Sequence, residues 1–375
     1  MNGSSVRARP WAFVSNMFPS DKDVSYGAFV QRNHEDLRAQ GFNIDQDVLI
    51  CGRLSGRRRL KAYAAHYLHL ARLLMQPGLR HWYVHYASHH CLIPALAAWL
   101  FGKQVVVNIH GDDLALARVS LYRRVMAAGQ GPLLRSARLI VVPSPFFKEL
   151  TVQRMPEIAP SRIVVSPSSG IDFTALSAAT AARASYWERD PAERLAEIGY
   201  IGRIDADKGW ESLSDAFIAL PAPMKSRTTL NFWGEGKDSA RLRERINLHR
   251  ADRIFHHGAF PASELPSTHA LFDFHVVPSQ RESLGLAALE GLGAGHVLIC
   301  SAIRPFTDMT TDGVSALHFD AASGRDLASV LAQALQLPDE SLRALAVKGQ
   351  LVGRAFDRLA VAVELAQHID THLVA

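Results

Sequence analysis

The sequence predicts an α/β protein with two doubly wound domains, each built around a parallel sheet. Twelve short runs of β-branched or aromatic residues alternate with segments long enough to form helices. Strands that alternate with helices form parallel sheets covered on both faces. Twelve strands fit two sheets better than one very wide sheet, and 375 residues are enough to bury two cores.

The predicted strands fall into two groups of six, separated by an Ala- and Ser-rich segment. We expect a first domain over residues 1–170, a linker over 171–194 and a second domain over 195–352. Residues 353–375 should form a helix that packs back toward the first domain. Open α/β sheets bind ligands at the carboxyl ends of their strands, so two facing sheets predict a cleft between the domains. In chain order the predicted strands are residues 11–18, 47–50, 82–86, 105–110, 139–142, 163–165, 198–201, 230–233, 254–257, 272–277, 297–300 and 316–319.

The composition is that of a globular protein, since 48% of the residues are hydrophobic and 21% are charged. The three cysteines, Cys51, Cys91 and Cys300, are too widely spaced for a disulfide framework or a metal cluster, which favours a reducing compartment. The longest apolar run, residues 91–101, is about half the ~20 residues of a membrane-spanning helix. Residues 11–14 are too few for a signal peptide, so we expect a cytoplasmic protein.

The net charge of +5 predicts an anionic partner. Phosphorylated small molecules, a membrane surface and nucleic acid all fit, but no aromatic-rich basic strand or recognition motif supports nucleic acid. Residues 53–61 carry five basic residues and no acid. They lead into an amphipathic helix, so residues 53–75 are candidates for contact with an anionic membrane; the alternative is a domain helix whose apolar face lies in the core. The predicted apolar face consists of Leu60, Tyr63, Tyr67, Ala71 and Leu74.

The strongest local signal is VVPSQRESLGLAALEGLGAG, residues 276–295. A buried strand and a turn are followed by a helix that should begin near Ser283, with Glu282 at its N-terminus. Glu290 lies eight residues further on, a helical rise of roughly 12 Å, so the carboxylates would hold opposite ends of an extended ligand. The free amides between them would bind an anion such as a diphosphate. Spacing alone favours the alternative, in which Glu282 is a favourable first-turn acid and Glu290 a solvated helix residue.

The second signal is GYIGRIDADKGW, residues 199–210, in which a strand runs into a Gly-Arg turn. Arg203 offers a rigid fork and Lys208 a compact charge, which together suit a pyrophosphate leaving group; the alternative is a basic loop in solvent. The acid pair Asp205 and Asp207 resembles a metal-binding motif, but similar pairs recur elsewhere in the chain, so no metal site is predicted. A zinc site is also not predicted at four histidines that cross a strand and a turn: His81, His85, His89 and His90.

Two segments of the first domain carry weaker signals. In VVVNIHGDDL, residues 105–114, a buried strand delivers His110 to its carboxyl end, where α/β folds hold their chemistry, although a lone histidine is often structural. In MFPSDKDVSYGAF, residues 17–29, Gly27 would let the backbone approach a ligand closely. This segment is not a dinucleotide fingerprint, which requires G-x-G-x-x-G.

Taken in this order, the segments resemble the large family of retaining glycosyltransferases that includes bacterial phosphatidylinositol mannosyltransferases and lipopolysaccharide glucosyltransferases. The resemblance rests on Gly27, HGDD at residues 110–113, GR…KG at 202–209 and E-x7-E at 282–290, and it covers nearly the whole chain. That family has the GT-B architecture of two facing Rossmann-like domains, with the donor held mainly by the second. Shorter matches are VVPS, GID, GEG and HHGAF at residues 141–144, 170–172, 234–236 and 256–260.

The resemblance implies a role for each candidate in the second domain. Arg203 and Lys208 would bind the diphosphate of the donor and stabilise it as it leaves. Glu282 would hold hydroxyls of the transferred sugar, Glu290 would hold the ribose hydroxyls, and Phe260 would border the base. The amides that face the phosphates would be those of Ser283, Leu284, Gly285 and Leu286.

In the first domain, the resemblance places Gly27 close to the diphosphate and His110 near the sugar and the acceptor. Several positions depart from the family pattern. The first loop has one glycine where many members have two, Leu284 stands where phenylalanine is usual, and His296 replaces a common proline. None of these changes removes a charged donor-binding residue, but the first-loop difference leaves the geometry of the acceptor open.

The resemblance implies transfer of a hexose from a UDP- or GDP-sugar to a hydroxyl, with retention at the anomeric carbon and without a metal ion or other cofactor. The acceptor would be a lipid-linked, cell-envelope or exopolysaccharide glycan. One alternative is a nucleotide-sugar epimerase of the same fold, which needs no acceptor. Another is a non-catalytic partner subunit that binds nucleotide sugar, but such a protein should lose the charged donor-site residues, and all four are present.

Overall fold

The computed structural model of the chain divides into two compact units. Unit 1 comprises Met1–Ser169 and Leu359–Ala375, and unit 2 comprises Gly170–Arg358. Among the described residues, no helix is both long and apolar enough to cross a membrane. The structure describes residues 6–21, 23, 26–111, 130–181, 185–190, 194–250, 252–320 and 324–373.

A parallel sheet with helices on both faces forms unit 1. Its described strands are β1 (Trp11–Phe18), β2 (Ile44–Cys51), β3 (His81–His85), β4 (Gln104–Asn108), β5 (Leu139–Val142) and β6 (Ile163–Val165). They pair in the order β2-β1-β3-β4-β5-β6. The helices described between these strands are α1 (Ala28–Ala39), α2 (Gly56–Leu74), α3 (Leu92–Phe101), α4 (Gln130–Ser136) and α5 (Pro145–Arg154).

Unit 2 contains a second parallel sheet. Its helices are α6 (Phe173–Ala181), α7 (Trp210–Ile218), α8 (Ala222–Lys225), α9 (Ser239–Leu248), α10 (Leu265–His269), α11 (Leu286–Gly293), α12 (Phe306–Met309), α13 (Leu327–Gln336) and α14 (Asp339–Arg354). The described strands are β7 (Ala196–Ile201), β8 (Thr228–Trp233), β9 (Ile254–Gly258), β10 (Phe274–Val277), β11 (Val297–Ser301) and β12 (Leu317–Phe319). They pair in the order β12-β11-β10-β7-β8-β9.

The predicted fold class is confirmed. Each predicted strand is present among the described residues, with ends that differ from the prediction by up to three residues. An apolar core lies on each face of each sheet, because successive side chains of a strand point to opposite faces. In β1, Ala12 and Val14 pack into one core, while Trp11 and Phe13 pack into the other. The strand β11 alternates in the same way in unit 2.

The last helix, α15 (Arg358–His372), belongs to unit 1 from Leu359 onward. Its buried residues Leu365, Ala366 and Ile369 lie in the same core as the aromatic side chains of β1. An ion pair adds to this packing, with Arg7 Nη2 2.6 Å from Asp370 Oδ2. The end of the chain therefore contributes to the core of unit 1.

Candidate functional site

Two loops of unit 2 meet at the carboxyl edge of its sheet, where the parallel strands end. Residues 202–209 follow β7, and residues 278–285 follow β10, which pairs directly with β7. Gly209 permits the close approach because it has a φ of 72°, and a Cβ there would lie 1.9 Å from the carbonyl oxygen of Pro278. The amide of Gln280 donates to the carbonyl oxygen of Asp207 at 2.9 Å. The pairing of these strands thus joins two motifs that are distant in sequence.

Lys208 and Glu282 lie at the centre of this edge. Lys208 Nζ donates to Glu282 Oε1 at 2.6 Å, although the two residues are 74 positions apart. Ser279 Oγ donates to the same carboxylate oxygen at 2.8 Å, and Ser301 Oγ donates to the carbonyl oxygen of Ser279 at 2.8 Å. The side chains of Lys208 and Glu282 remain 19% and 16% exposed, so a ligand can reach them.

Arg203 lies at the same edge and is held by two acids of its own loop. Its Nη1 donates to Asp205 Oδ2, and its Nη2 lies 3.7 Å from Asp207 Oδ2. Asp205 is nearly buried and accepts a hydrogen bond from the amide of Lys237 at 2.8 Å. The acid pair that resembles a metal motif therefore orients Arg203, whose side chain remains 52% exposed.

Tyr200 supports the turn that carries Arg203. Its hydroxyl donates to the carbonyl oxygen of Arg203 at 2.7 Å. Burial raises the pKa of Tyr200, and the nearby negative charge of Glu282 adds to the rise. The hydroxyl therefore keeps the proton that it donates to this turn.

The helix that follows Glu282 begins later than the sequence predicts. The prediction of a start near Ser283 is wrong, because α11 begins at Leu286 and Glu282 lies in the loop four residues before it. Gly285 explains the difference, since its φ of 85° lies outside the helical region. A Cβ at this position would also lie 2.2 Å from the ring of Phe306. A continuous helical rise therefore does not separate the two carboxylates.

The remaining residues of the 276–295 segment are partly or fully buried by packing around α11. Leu284 is buried in the core beside α11, so its backbone rather than its side chain can face a ligand. Glu290 is 9% exposed, so it is not the solvated helix residue of the structural alternative. Gly291 lets α11 pack closely on β10, because a Cβ there would lie 2.1 Å from His275 Nδ1. Leu286 is half-buried at the start of the helix.

The loops after β8 and β9 reach the same edge. A Cβ on Gly234 would lie 1.9 Å from the carbonyl oxygen of Gly202, so the loop after β8 touches the loop after β7 through glycine backbone. The amide of Gly234 donates to the carbonyl oxygen of Gly258 at 2.7 Å, and His256 Nε2 lies 2.8 Å from the carbonyl oxygen of Gly234. Phe260, two residues beyond Gly258, is half-buried. The segment that ends at Phe260, which was predicted to border a base, therefore lies close to the turn that holds Arg203.

In unit 1, His110 lies two residues after β4, beside the end of β3. His85 Nδ1 and His110 Nε2 are 2.7 Å apart, and the two ring planes are within 7° of parallel with centroids 5.0 Å apart, so the rings meet edge to edge. The rings of Tyr86 and Phe29 lie 4.7 and 4.8 Å from that of His110. Burial lowers the pKa of His110 to about 3, so the ring is neutral at neutral pH. Residues 112–113, the rest of the HGDD segment, lie outside the described residues.

Gly27 ends the loop that follows β1, the strand next to β3. It has a φ of 77°, and a Cβ there would lie 2.9 Å from the backbone of Met17. The hydroxyl of Tyr86 donates to Met17 Sδ at 3.2 Å, which connects this loop to the surroundings of His110. Tyr86 itself has a φ of 63°, a conformation that non-glycine residues adopt mainly at constrained sites. The structure therefore brings the two candidates of unit 1 together.

Sequence reasoning missed several residues that hold the candidates in place, among them Ser279 and His85. The sequence did contain a signal for His85, because it ends β3 as His110 follows β4, and the strand-end argument applies to both. Ser279 had no comparable signal, since its contact with Glu282 depends on the turn between them. Within the described ranges, no group of three or more His, Cys, Asp or Glu side chains is arranged to hold a metal ion.

Comparison with known proteins shows which family these features represent. The family described as "Glycosyl transferases group 1" matches residues 187–350, which include Arg203, Lys208, Glu282 and Glu290. The "Glycosyl transferase 4-like domain" matches residues 25–168, which include Gly27 and His110. The chain belongs to the 4-like family of glycosyltransferases. The predicted family is confirmed, and the predicted enzyme class is confirmed as far as glycosyltransferase.

Individual relatives and structures agree with this assignment. The chain is 27% identical to the glycogen synthase of Mycobacterium tuberculosis over 359 residues, which cover 93% of this chain and 81% of the synthase. The lipopolysaccharide core biosynthesis mannosyltransferase LpsB of Rhizobium meliloti is 26% identical over 186 residues, 47% of this chain and 50% of that protein. The crystal structure of Anabaena Alr3699/HepE in complex with UDP and glucose has a TM-score of 0.70 at 14% identity and covers 97% of this chain and 100% of that one.

Proposed function

We propose that the glycosyltransferase transfers a hexose from a UDP- or GDP-sugar to a hydroxyl group, with retention at the anomeric carbon and without a metal ion. The contact between Lys208 Nζ and Glu282 Oε1, 2.6 Å long, supports this proposal most strongly. It places a cation for a diphosphate beside a carboxylate that can accept hydrogen bonds from sugar hydroxyls. Both side chains are partly exposed at the edge where α/β sheets bind ligands.

Each donor group has a proposed contact in unit 2. Arg203 and Lys208 bind the diphosphate, Glu282 holds hydroxyls of the sugar, Glu290 holds the ribose hydroxyls, and Phe260 borders the base. The orientation of Arg203 by Asp205 and Asp207 supports its role, because a pre-oriented guanidinium loses less freedom when it binds. The amides proposed to face the phosphates are those of Ser283, Leu284, Gly285 and Leu286.

In the proposed reaction, the bond between the anomeric carbon and the diphosphate oxygen breaks, and the acceptor oxygen bonds to that carbon on the same face. The proton of the acceptor hydroxyl passes to the leaving diphosphate, so no carboxylate acts as a nucleophile. Arg203 and Lys208 stabilise the charge that develops on the diphosphate. The roles proposed for unit 1 are those that the resemblance implies, with Gly27 at the diphosphate and His110 at the sugar. Burial lowers the pKa of His110 to about 3, so His110 supplies no positive charge.

The proposed acceptor is a lipid-linked, cell-envelope or exopolysaccharide glycan. The relative LpsB is named for lipopolysaccharide core biosynthesis, and the mycobacterial relative is named for glycogen synthesis, so both names concern glycan acceptors. The contact of residues 53–75 with an anionic membrane surface, which would bring the enzyme to a lipid-linked acceptor, is part of the same proposal.

The helix α2 buries one stripe of its surface and leaves the rest partly or fully exposed. The helix buries His66, Leu70 and Leu73 against unit 1. The burial of the helix is therefore centred on residues outside the predicted apolar face, although Leu74 of that face packs against the core. Leu60 and Ala71 of the predicted apolar face are exposed. The other three residues of that face are half-buried, namely Tyr63, Tyr67 and Leu74.

The outer surface of α2 and of α3, which packs on it, combines basic and apolar side chains. Neither helix contains an acidic residue. Basic residues together with exposed apolar ones fit an anionic lipid surface, to which each Lys or Arg contributes roughly 1 kcal/mol. The exposed basic residues of α2 are Arg57, Arg58, Arg59, Lys61 and Arg72, and the exposed apolar residues of α3 are Leu92, Leu96, Trp99, Leu100 and Phe101.

Co-sedimentation with vesicles tests the membrane contact. Replacing Arg57, Arg58 and Arg59 by Gln should weaken binding to phosphatidylglycerol vesicles by about 100-fold, since three charges contribute roughly 3 kcal/mol. Replacing three arginines of α9 by Gln changes the net charge equally and should leave binding unchanged; these are Arg241, Arg243 and Arg245. Equal binding to phosphatidylglycerol and phosphatidylcholine vesicles would contradict the proposal.

Turnover of UDP- and GDP-hexoses tests the reaction itself. Lys208→Ala and Glu282→Ala should each lose about 100-fold or more in kcat, as the loss of one group that stabilises transition-state charge does. Lys225→Ala is the matched control, because Lys225 forms a comparable ion pair with Asp252 at 3.0 Å, with 23% and 16% exposure, near the amino end of β8. It should keep wild-type turnover. Wild-type turnover in both Lys208→Ala and Glu282→Ala would contradict the proposal. Analysis of the products formed from donor without acceptor identifies an epimerase.

A further inference from the structure

A chain of hydrogen bonds runs from the core of unit 1 to His110. Asn33 Oδ1 lies 3.0 Å from His85 Nε2, and His85 Nδ1 lies 2.7 Å from His110 Nε2. Asn33 lies on α1 and His85 ends β3, and both side chains are buried. The orientation of the Asn33 amide therefore controls which ring nitrogens carry protons.

The ring of Tyr83 lies beside that of His85, with centroids 5.2 Å apart. Asn108 Nδ2 donates to the Tyr83 hydroxyl oxygen at 2.9 Å. Burial raises the pKa of Tyr83, while hydrogen bonds from Asn108 and Asn33 act against the rise, as donors to the phenolic oxygen do. The orientation of the Asn33 amide follows from its contact with His85, in which Asn33 Oδ1 lies 3.0 Å from His85 Nε2.

The proton positions follow from this orientation. An amide oxygen only accepts, so His85 Nε2 must carry the proton that it donates to Asn33. A neutral imidazole has one ring proton, so His85 Nδ1 accepts and His110 Nε2 donates. Burial keeps both rings neutral: it lowers the pKa of His85, with further lowering by His110, His34 and His90, and it lowers the pKa of His110 to about 3.

We infer that Asn33 and His85 are positioning residues that hold His110 in its Nε2–H tautomer and leave Nδ1 as the accepting atom of its ring. The two imidazole planes lie within 7° of each other, so the hydrogen bond between their nitrogens also orients the His110 ring. The inference rests on the proposed contact of His110 with the sugar. A ring in this state accepts a hydrogen bond from a hydroxyl but supplies no positive charge, so the charge on the leaving diphosphate is met by Arg203 and Lys208.

The tautomer can be measured directly in the free protein. Two-bond ¹H–¹⁵N spectra of ¹⁵N-histidine-labelled protein distinguish protonated from unprotonated ring nitrogens, and His110→Gln identifies the His110 signals by their loss. We expect a protonated Nε2 and an unprotonated Nδ1 in the wild type. A protonated Nδ1 on His110 would overturn the inference, whether or not the variants of Asn33 and His85 fold.

Two variants then test the chain of hydrogen bonds. Asn33→Leu removes the acceptor of His85 Nε2 at similar volume, so His110 should populate a mixture of tautomers. Phe29→Leu changes a ring 4.8 Å from His110 without touching these hydrogen bonds and should keep the wild-type tautomer. A pure Nε2–H tautomer of His110 in Asn33→Leu would contradict the proposal that Asn33, acting through His85, sets the tautomer of His110.

Kinetics separate positioning from a purely structural role. His85→Ala should lower kcat by about 10- to 100-fold, as the loss of groups that orient functional histidines does at metal sites, and should leave the KM for donor nearly unchanged. His85→Asn, whose side-chain oxygen can replace Nδ1 as acceptor, should restore much of kcat. Equal kcat in the two variants at equal Tm would contradict the inference. If the wild type has the expected tautomer but transfers no hexose, the proposed function fails and the inference on the tautomer stands.

Discussion

Gly285→Ala should destabilise unit 2 for two separate reasons. The φ of 85° lies in the left-handed region, which costs an alanine about 1–2 kcal/mol. A Cβ would also lie 2.2 Å from Cε1 of Phe306, whose ring is fully buried. Overpacking of a core costs about 1–3 kcal/mol. The free energy of unfolding should therefore fall by about 2–5 kcal/mol, the sum of the two effects.

Gly313→Ala provides the matched control for the backbone effect. Gly313 has a φ of 70°, and nothing lies within 4 Å of a Cβ built there, so its replacement should cost only about 1–2 kcal/mol. In a Phe306→Ala background, Gly285→Ala should cost no more than this, because the ring that it meets is gone. Urea unfolding followed by circular dichroism gives the free energies. Equal losses for Gly285→Ala and Gly313→Ala would refute the idea that Phe306 shapes the loop before α11.

Two further predictions concern pH and thiol reactivity. Burial lowers the pKa of His275 to about 3 from an ordinary 6.5, so the folded state binds fewer protons between these values. Its stability contribution is complete above pH 6.5 and falls with decreasing pH by about 1.4 kcal/mol per pH unit. His275→Leu should therefore reduce the slope of the unfolding free energy, measured with urea between pH 6 and 4, by about 1.4 kcal/mol per pH unit, and an unchanged slope would contradict this prediction. Cys51 is exposed while Cys91 and Cys300 are buried. One thiol should therefore react with Ellman's reagent in the folded protein and three after unfolding, and more than one rapidly reacting thiol in the folded protein would contradict this packing.

Much of the fold could be predicted because strand runs are local in the sequence. The exact ends of elements were less predictable, because they depend on single backbone conformations. The run predicted as 82–86 ends as a strand at His85, since Tyr86 takes a φ of 63°. Similarly, the predicted helix near Ser283 starts at Leu286, because Gly285 takes a left-handed conformation. Nothing in local spacing reveals these conformations.

The candidate site was predictable in its residue types but not in its contacts. The pairing of β7 with β10 decides that Lys208 meets Glu282 across 74 residues, and the contact requires the close approach of Gly209 to Pro278. A pattern of charges along one segment cannot report this. His85 was within reach of the same argument that selected His110, because parallel strands that pair directly end side by side.

Whether the carboxyl edge of unit 2 binds the diphosphate of a nucleotide sugar is tested most directly by calorimetric titration. UDP- and GDP-hexoses would be titrated into wild type, Lys208→Ala and Lys225→Ala. We predict that at least one donor binds wild type and Lys225→Ala alike and binds Lys208→Ala about tenfold or more weakly, since a hydrogen bond to a charged group contributes about 1.5–3 kcal/mol. Equal affinity of wild type and Lys208→Ala, or no binding of either donor to the wild type, would contradict this assignment.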